Sequence, residues 1–184
     1  LGMMGRPMAK RLVEAGFTLR VFDVSQKAVS DFVGAHASAL ATASAKAAAQ
    51  GAAALITMLP DGKIVRQAVL EGQDPAIEGL EAGAVVMDMS SSNPVDTQKL
   101  AKDLAGRGVA LLDAPVSGGV KRAIDGSLSI MVGGVAADLE RARPVFAAMG
   151  KTITLCGPAG AGHALKALNN YLSAAGLVAM CEAV

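Results

Sequence analysis

Short β-rich runs alternate with amphipathic helical runs along almost the whole chain, and this alternation restricts the fold more than any other feature. "RPMAKRLVEA" has apolar residues at helical spacing and stops at Gly16, a residue suited to the position after a helix. "FTLRVFD" reads as a short strand and "SQKAVSDFV" as a helix capped by Ser25. "AALITML" reads as a buried strand ending at Pro60, after which Asp61 caps a helix through "GKIVRQAVL". "AVVMDM" is the next strand, and Asn93-Pro94 opens a helix with proline at its first position. "VALLDA" and "SLSIMVGG" are strands on either side of the loop "PVSGG". "AADLERARPVFAAMG" is a helix that Pro144 is expected to break or kink, and "TITLC" is a last short strand. Residues 162–184 then read as helix without interruption.

Strands alternating with helices call for a mainly parallel sheet covered on both faces. The expected fold is a Rossmann-type, doubly wound α/β domain over residues 1–159, with residues 160–184 opening an all-helical second domain. Hydrophobic residues make up 52% of the 184 residues but aromatics only 3%, so the core must be aliphatic, with nine methionines. A net charge of +1 gives no electrostatic case for nucleic acid or an anionic membrane. The scarcity of aromatics also weighs against stacking on single-stranded nucleic acid. Alanine inflates the mean hydropathy of +0.43. The stretch "HASALATASAKAAAQGAAALITML" carries Lys46 and Gln50 and is not a spanning run. Residues 1–17 carry charges throughout and lack the apolar core of a signal peptide, so a soluble cytoplasmic protein is expected. Cys156 and Cys181 read as buried free thiols, and His36 and His163 lack the spacing of metal ligands, so no metal is expected.

The opening "LGMMGRPMAKRL" matches the second and third glycines of G-x-G-x-x-G at Gly2 and Gly5. The first glycine would fall one position before Leu1. Such a loop lets the backbone approach a pyrophosphate, which makes Gly2, Met3, Met4 and Gly5 candidate cofactor ligands. Asp23 ends the next strand, about 20 residues on, where an acidic residue binds the adenosine ribose. A carboxylate there would repel a 2′-phosphate, and Val24-Ser25 offer no arginine, so NAD is expected rather than NADP.

"DAPVSGG", residues 113–119, stands at the carboxyl end of a strand, where open α/β sheets bind ligands. The Ser117 hydroxyl with the N–H groups of Ser117, Gly118 and Gly119 can hold a carboxylate. In "GAGHALKALNN", Lys166 lies in an apolar helix with Asn170 one turn later and Asn169 at i+3. An amine in apolar surroundings has its pKa drawn toward neutrality, which suits acid–base work. Pro60, Ser90 and Ser91 follow predicted strands and are candidates for the rim of the cofactor cleft.

These motifs, in this order, resemble the β-hydroxyacid dehydrogenase family. The family opening G-L-G-x-M-G-x-P-M-A stands here as "LGMMGRPMA", its substrate motif D-A-P-V-S-G-G is complete at residues 113–119, and its catalytic motif G-x-G-x-x-x-K-x-x-N-N is complete at residues 160–170. The resemblance covers the whole chain. It implies reversible hydride transfer between a nicotinamide dinucleotide and a short β-hydroxyacid, without a metal. It implies Lys166 as general acid–base, Ser117, Gly118 and Gly119 on the substrate carboxylate, and Asn170 hydrogen-bonded to substrate. It also implies cofactor contacts from Leu59, Pro60 and Ser91, and a full-length homodimer or homotetramer.

Two other readings compete: an imine reductase of the same architecture and a non-catalytic dinucleotide-binding module. Lys166 argues against the first, and Lys166, Ser117 and Asn170 together against the second. Family chains are much longer, so the sequence reads as an internal piece of a longer product, lacking the first strand and most of a helical domain. On that reading, the 184 residues alone would bind NAD poorly and be inactive.

Overall fold

The computed structural model describes residues 1–183. Strands β1 (Leu19–Val21) and β2 (Ala39–Ala41) form a parallel pair on their own. A six-stranded sheet holds β3 (Ala54–Thr57), β4 (Val85–Asp88), β5 (Ala110–Asp113), β6 (Val116–Ser117), β7 (Leu128–Gly133) and β8 (Gly150–Gly157). Strands β3, β4 and β5 run parallel, as do β7 and β8, while β7 is antiparallel to β5 and β6. The expected mainly parallel α/β fold is therefore present.

The α-helices are α1 (Gly5–Glu14), α2 (Gln26–Ala35), α3 (Ala45–Ala49), α4 (Gly62–Arg66), which continues as a π-helical turn over Gln67–Glu71, α5 (Pro94–Ala105), α6 (Gly119–Asp125), α7 (Ala136–Met149) and α8 (Ala161–Glu182). Their starts follow local chemistry. Ser25 Oγ accepts the Ala28 N–H at 3.2 Å, Asp61 Oδ1 accepts Lys63 and Ile64 N–H at 2.9 Å each, and Asn93 Oδ1 accepts Val95 N–H at 2.8 Å.

Burial on both faces of the sheet follows the two-residue period of its strands. Val85 and Met87 of β4 and Leu112 of β5 pack toward Met8, Leu139 and Phe146 of α1 and α7. Val86 and Leu111, one residue out of phase, pack toward Val65, Leu100 and Leu104 of α4 and α5. A fully buried side chain such as Phe146 or Leu104 stabilises the fold by about 1.5–3 kcal/mol.

Several expectations need correction. β3 is not a buried strand: Ala54 is exposed and Leu55 and Ile56 are half-buried, because β3 pairs with β4 alone among the described residues. α7 runs through Pro144 unbroken. Pro144 and Glu140 are exposed, so the carbonyl freed by the missing N–H meets water, while Ala142 and Phe146 keep the opposite face in the core. The cysteines are free but not buried: Cys156 is half-buried on β8 and Cys181 is exposed on α8. α8 buries only Gly162 and His163 and leaves Leu168, Tyr171, Leu172, Leu177, Val178 and Met180 exposed. The helix expected over residues 162–184 is present to Glu182, and Val184 lies outside the described residues. No helix among the described residues is long and apolar enough to cross a membrane.

Candidate active site

Three strands end in a polar residue at one register. Thr57, Asp88 and Asp113 are neighbours across β3, β4 and β5, and Asp113 faces Gly133 of β7. All three polar side chains are buried, so each needs partners. Thr57 Oγ1 donates to Asp88 Oδ1 at 2.9 Å, Ser92 Oγ donates to Asp88 Oδ2 at 2.8 Å, and Ser90 N–H donates to Asp88 Oδ1 at 3.1 Å. Ser90 Oγ accepts the Leu59 N–H at 2.9 Å and so joins the loops that follow β3 and β4. Of the expected rim residues, Leu59 is half-buried, Pro60 and Ser91 are exposed, and Ser90 is buried as their brace.

Asp113 reaches from β5 to the start of α8. Its Oδ1 accepts the Gly160 N–H at 2.7 Å and its Oδ2 accepts the His163 N–H at 2.8 Å. The carboxylate thus caps a helix whose own N-cap residue, Gly160, has no side chain. His163 is buried between α5 and the loop after β4, with Nδ1 2.8 Å from Thr97 Oγ1 and Nε2 3.1 Å from the Ser90 carbonyl. One tautomer meets both partners: Nε2–H donates to Ser90, and Nδ1 accepts from the Thr97 hydroxyl, whose one proton is shared with the Asn93 carbonyl at 3.0 Å.

Lys166 follows His163 by three residues on α8 and is half-buried, and this burial lowers its amine below the ordinary lysine range. Asn170 lies one turn further on and is exposed, as is Asn169, whose carbonyl accepts Ser173 Oγ at 2.9 Å. Ser117 is half-buried and held to Ser129 of β7, while Gly118 and Gly119 are exposed. Gly118 has φ +129°, and a Cβ there would stand 2.4 Å from Arg122 Cδ, so the turn into α6 excludes a side chain. The loop of residues 113–119 and the helix bearing Lys166 therefore share one buried carboxylate, Asp113.

At the other end, Leu1 and Asp23 meet. Asp23 Oδ2 lies 2.6 Å from the Leu1 nitrogen, and Oδ1 accepts the Ser25 N–H at 2.8 Å. The N–H groups of Met3, Met4 and Gly5 have no acceptor among the described residues. Met3 and Gly2 are exposed and Met4 and Gly5 are half-buried. No atom would come within 4 Å of a Cβ at Gly2. Open space, unpaired donors at the N-terminus of a ten-residue helix and a carboxylate beside them fit the phosphate and ribose of a dinucleotide.

Asp88, Asp113, His163, Thr57 and Thr97 were not among the residues expected to build the site. Their signal was present: "ALIT", "VVMD" and "ALLD" are apolar runs that each end on one polar residue.

Residues 1–157 match the family described as the NAD binding domain of 6-phosphogluconate dehydrogenase. The chain is 44% identical over 184 residues to an NAD-dependent L-serine dehydrogenase of Pseudomonas aeruginosa, covering all of this chain and 61% of that protein. It is 40% identical over 190 residues to a 3-sulfolactaldehyde reductase of Escherichia coli, covering all of this chain and 63% of that protein. Among solved structures, a Mycobacterium tuberculosis 3-hydroxyisobutyrate dehydrogenase with L-serine superposes with a TM-score of 0.92 at 38% identity, over all of this chain and 61% of the other. A Streptomyces aurantiacus imine reductase, at 22% identity and a TM-score of 0.87, shares the fold. The chain thus spans about three-fifths of the length of these relatives.

Proposed function

The chain belongs to the family of the NAD binding domain of 6-phosphogluconate dehydrogenase, and from that premise we propose that it carries the cofactor-binding and catalytic part of an NAD-dependent dehydrogenase of short β-hydroxyacids. The observation that supports this reading is the junction at Asp113, where the loop of residues 113–119 and the helix bearing Lys166 meet at the carboxyl end of β5. Relatives of this chain are named for L-serine and 3-hydroxyisobutyrate, both short acids with a hydroxyl on the β-carbon.

In this reading, Ser117 and the N–H groups of Gly118 and Gly119 hold the substrate carboxylate. Lys166 as neutral amine takes the hydroxyl proton when the alcohol is oxidised, and as ammonium returns it to the carbonyl oxygen in reduction. Its burial supports this role, because it lowers the amine below the ordinary lysine range and so favours the neutral form that accepts a proton. NAD, when bound, accepts or returns the hydride of the carbon that bears the oxygen. Met3, Met4 and Gly5 N–H groups receive the pyrophosphate beside Gly2, while Leu59, Pro60 and Ser91 line its cleft. Asp23 accepts from the ribose hydroxyls, which favours NAD over NADP. Asn170 hydrogen-bonds the substrate from the turn after Lys166. The exposed apolar residues of α8 support residues 160–184 as the start of a helical domain and of a homodimer or homotetramer contact.

The test is NADH formation from NAD by the whole protein with L-serine, 3-hydroxyisobutyrate and other short β-hydroxyacids, against 2-hydroxyacids of equal size. Turnover confined to β-hydroxyacids is expected, with a higher kcat/KM for NAD than for NADP. Silence with every hydroxyacid, alongside reduction of a cyclic imine, would give the imine reductase reading instead.

A further inference from the structure

We propose that Asp113 and His163 are positioning residues for Lys166, fixing the first turn of α8 against the ends of three strands at once. What Lys166 does rests on the dehydrogenase reading; where Lys166 stands does not. Asp113, wholly buried on β5, supplies the cap that α8 lacks, through Gly160 and His163 N–H at 2.7 and 2.8 Å. A buried carboxylate is tolerable there because those two donors and the positive end of a 22-residue helix replace its water. His163 ties the same turn to the loop after β4 through the Ser90 carbonyl at 3.1 Å, and to α5 through Thr97 Oγ1 at 2.8 Å. Ser90 Oγ extends the tie to β3 through the Leu59 N–H at 2.9 Å.

The seat is also sterically closed. A Cβ at Gly162 would stand 2.3 Å from the Met131 carbonyl oxygen and 2.9 Å from Asp113 Oδ2. A Cβ at Gly133 would stand 2.4 Å from Asp113 Oδ1 and 2.8 Å from the Gly162 nitrogen. The first turn can neither slide nor rotate without breaking a buried hydrogen bond or driving backbone into backbone. Lys166, three residues after His163 and four after Gly162, lies over the same face and inherits this register. Among the described residues Lys166 forms no ion pair, so its place is set by the backbone that carries it.

The test follows two readouts in the full chain: acetic anhydride labelling of the Lys166 amine across pH, read by mass spectrometry, and kcat against KM with NAD and β-hydroxyacid. Asp113→Asn turns one acceptor into an amide N–H facing a helix N–H. His163→Leu removes both ring partners, and His163→Gln restores an acceptor for Thr97 and a donor for Ser90. In Asp113→Asn and His163→Leu, kcat is expected to fall by roughly 10–100-fold with the KM for NAD almost unmoved. The Lys166 labelling midpoint is expected to rise toward ordinary lysine as the amine loses its burial. His163→Gln is expected to keep both readouts near the parent. Labelling needs no turnover, so a whole protein inactive with every hydroxyacid would sink the dehydrogenase reading and still test the positioning. Should Asp113→Asn and His163→Leu not fold, Thr97→Val removes the hydroxyl partner of His163, together with its bond to the Asn93 carbonyl, and is expected to move both readouts the same way by less. An unchanged Lys166 midpoint in the folded variants, or a His163→Gln protein as impaired as His163→Leu, would overturn the proposal.

Discussion

The two ends of the candidate site are built in opposite ways. At the Lys166 end, the buried polar groups meet one another: Thr57, Asp88, Ser90, Asp113, Thr97 and His163 form one connected set of hydrogen bonds. At the Gly2 end, the backbone donors of Met3, Met4 and Gly5, at and just before the start of α1, have no acceptor among the described residues, and Gly2 stands in open space. The first arrangement is set by the chain before any ligand arrives, which is what positioning of an acid–base group requires. The second leaves its donors to water, so an arriving anion exchanges solvent bonds for charge-assisted ones. The contrast separates residues that should affect turnover from residues that should affect cofactor affinity.

The largest expected effect is that of Lys166→Ala, with kcat lower by about 10²–10⁴-fold and NAD affinity nearly unchanged, measured by stopped-flow hydride transfer and by NAD titration. Ser117→Ala comes next. It should raise the KM for the acid by roughly 10-fold, the loss of one hydrogen bond to a charged group, with little change in NAD affinity. Asp23→Ala belongs to the other half and should weaken NAD by about 10-fold without touching the single-turnover rate at saturating NAD. A kcat effect from Asp23→Ala, or an NAD effect from Lys166→Ala, would break the division between the two ends.

The pH dependence sharpens the same contrast. Oxidation of the alcohol needs the neutral amine, so its kcat/KM should rise with pH and level off below the ordinary lysine range, because burial lowers Lys166. Reduction needs the ammonium form and should fall over the same interval. Parallel profiles in both directions would remove Lys166 from the proton transfer. The smallest expected effect is that of Thr57→Val, which deletes one buried hydrogen bond to Asp88 and should lower stability by about 1–2 kcal/mol in a denaturant melt.

Much of this was legible in the sequence because it depends on local chemistry. Ser25, Asp61 and Asn93 cap the helices they precede, and the apolar runs ending at Thr57, Asp88 and Asp113 are strands. What was not legible depends on pairing across the sheet. Asp113 caps a helix whose N-cap residue, Gly160, lies 47 residues later, and no local pattern announces a carboxylate that serves a distant helix. His163 looked like a histidine without metal-ligand spacing, and its role is set by Ser90 and Thr97, which only the register of β4 with β5 and the seating of α5 bring to it. Pro144 misled for a related reason: the carbonyl that it leaves unpaired faces water, a fact of tertiary placement. Exposure at Cys181 likewise follows from where α8 lies.

Amide hydrogen exchange with and without NAD tests the asymmetry between the two ends most directly. Protection should already be high at residues 160–163 in the free protein and stay unchanged on binding, while residues 3–5 exchange fast when free and slow sharply with NAD. Fast exchange at residues 160–163 that slows only with NAD, or residues 3–5 that ignore the cofactor, would contradict it.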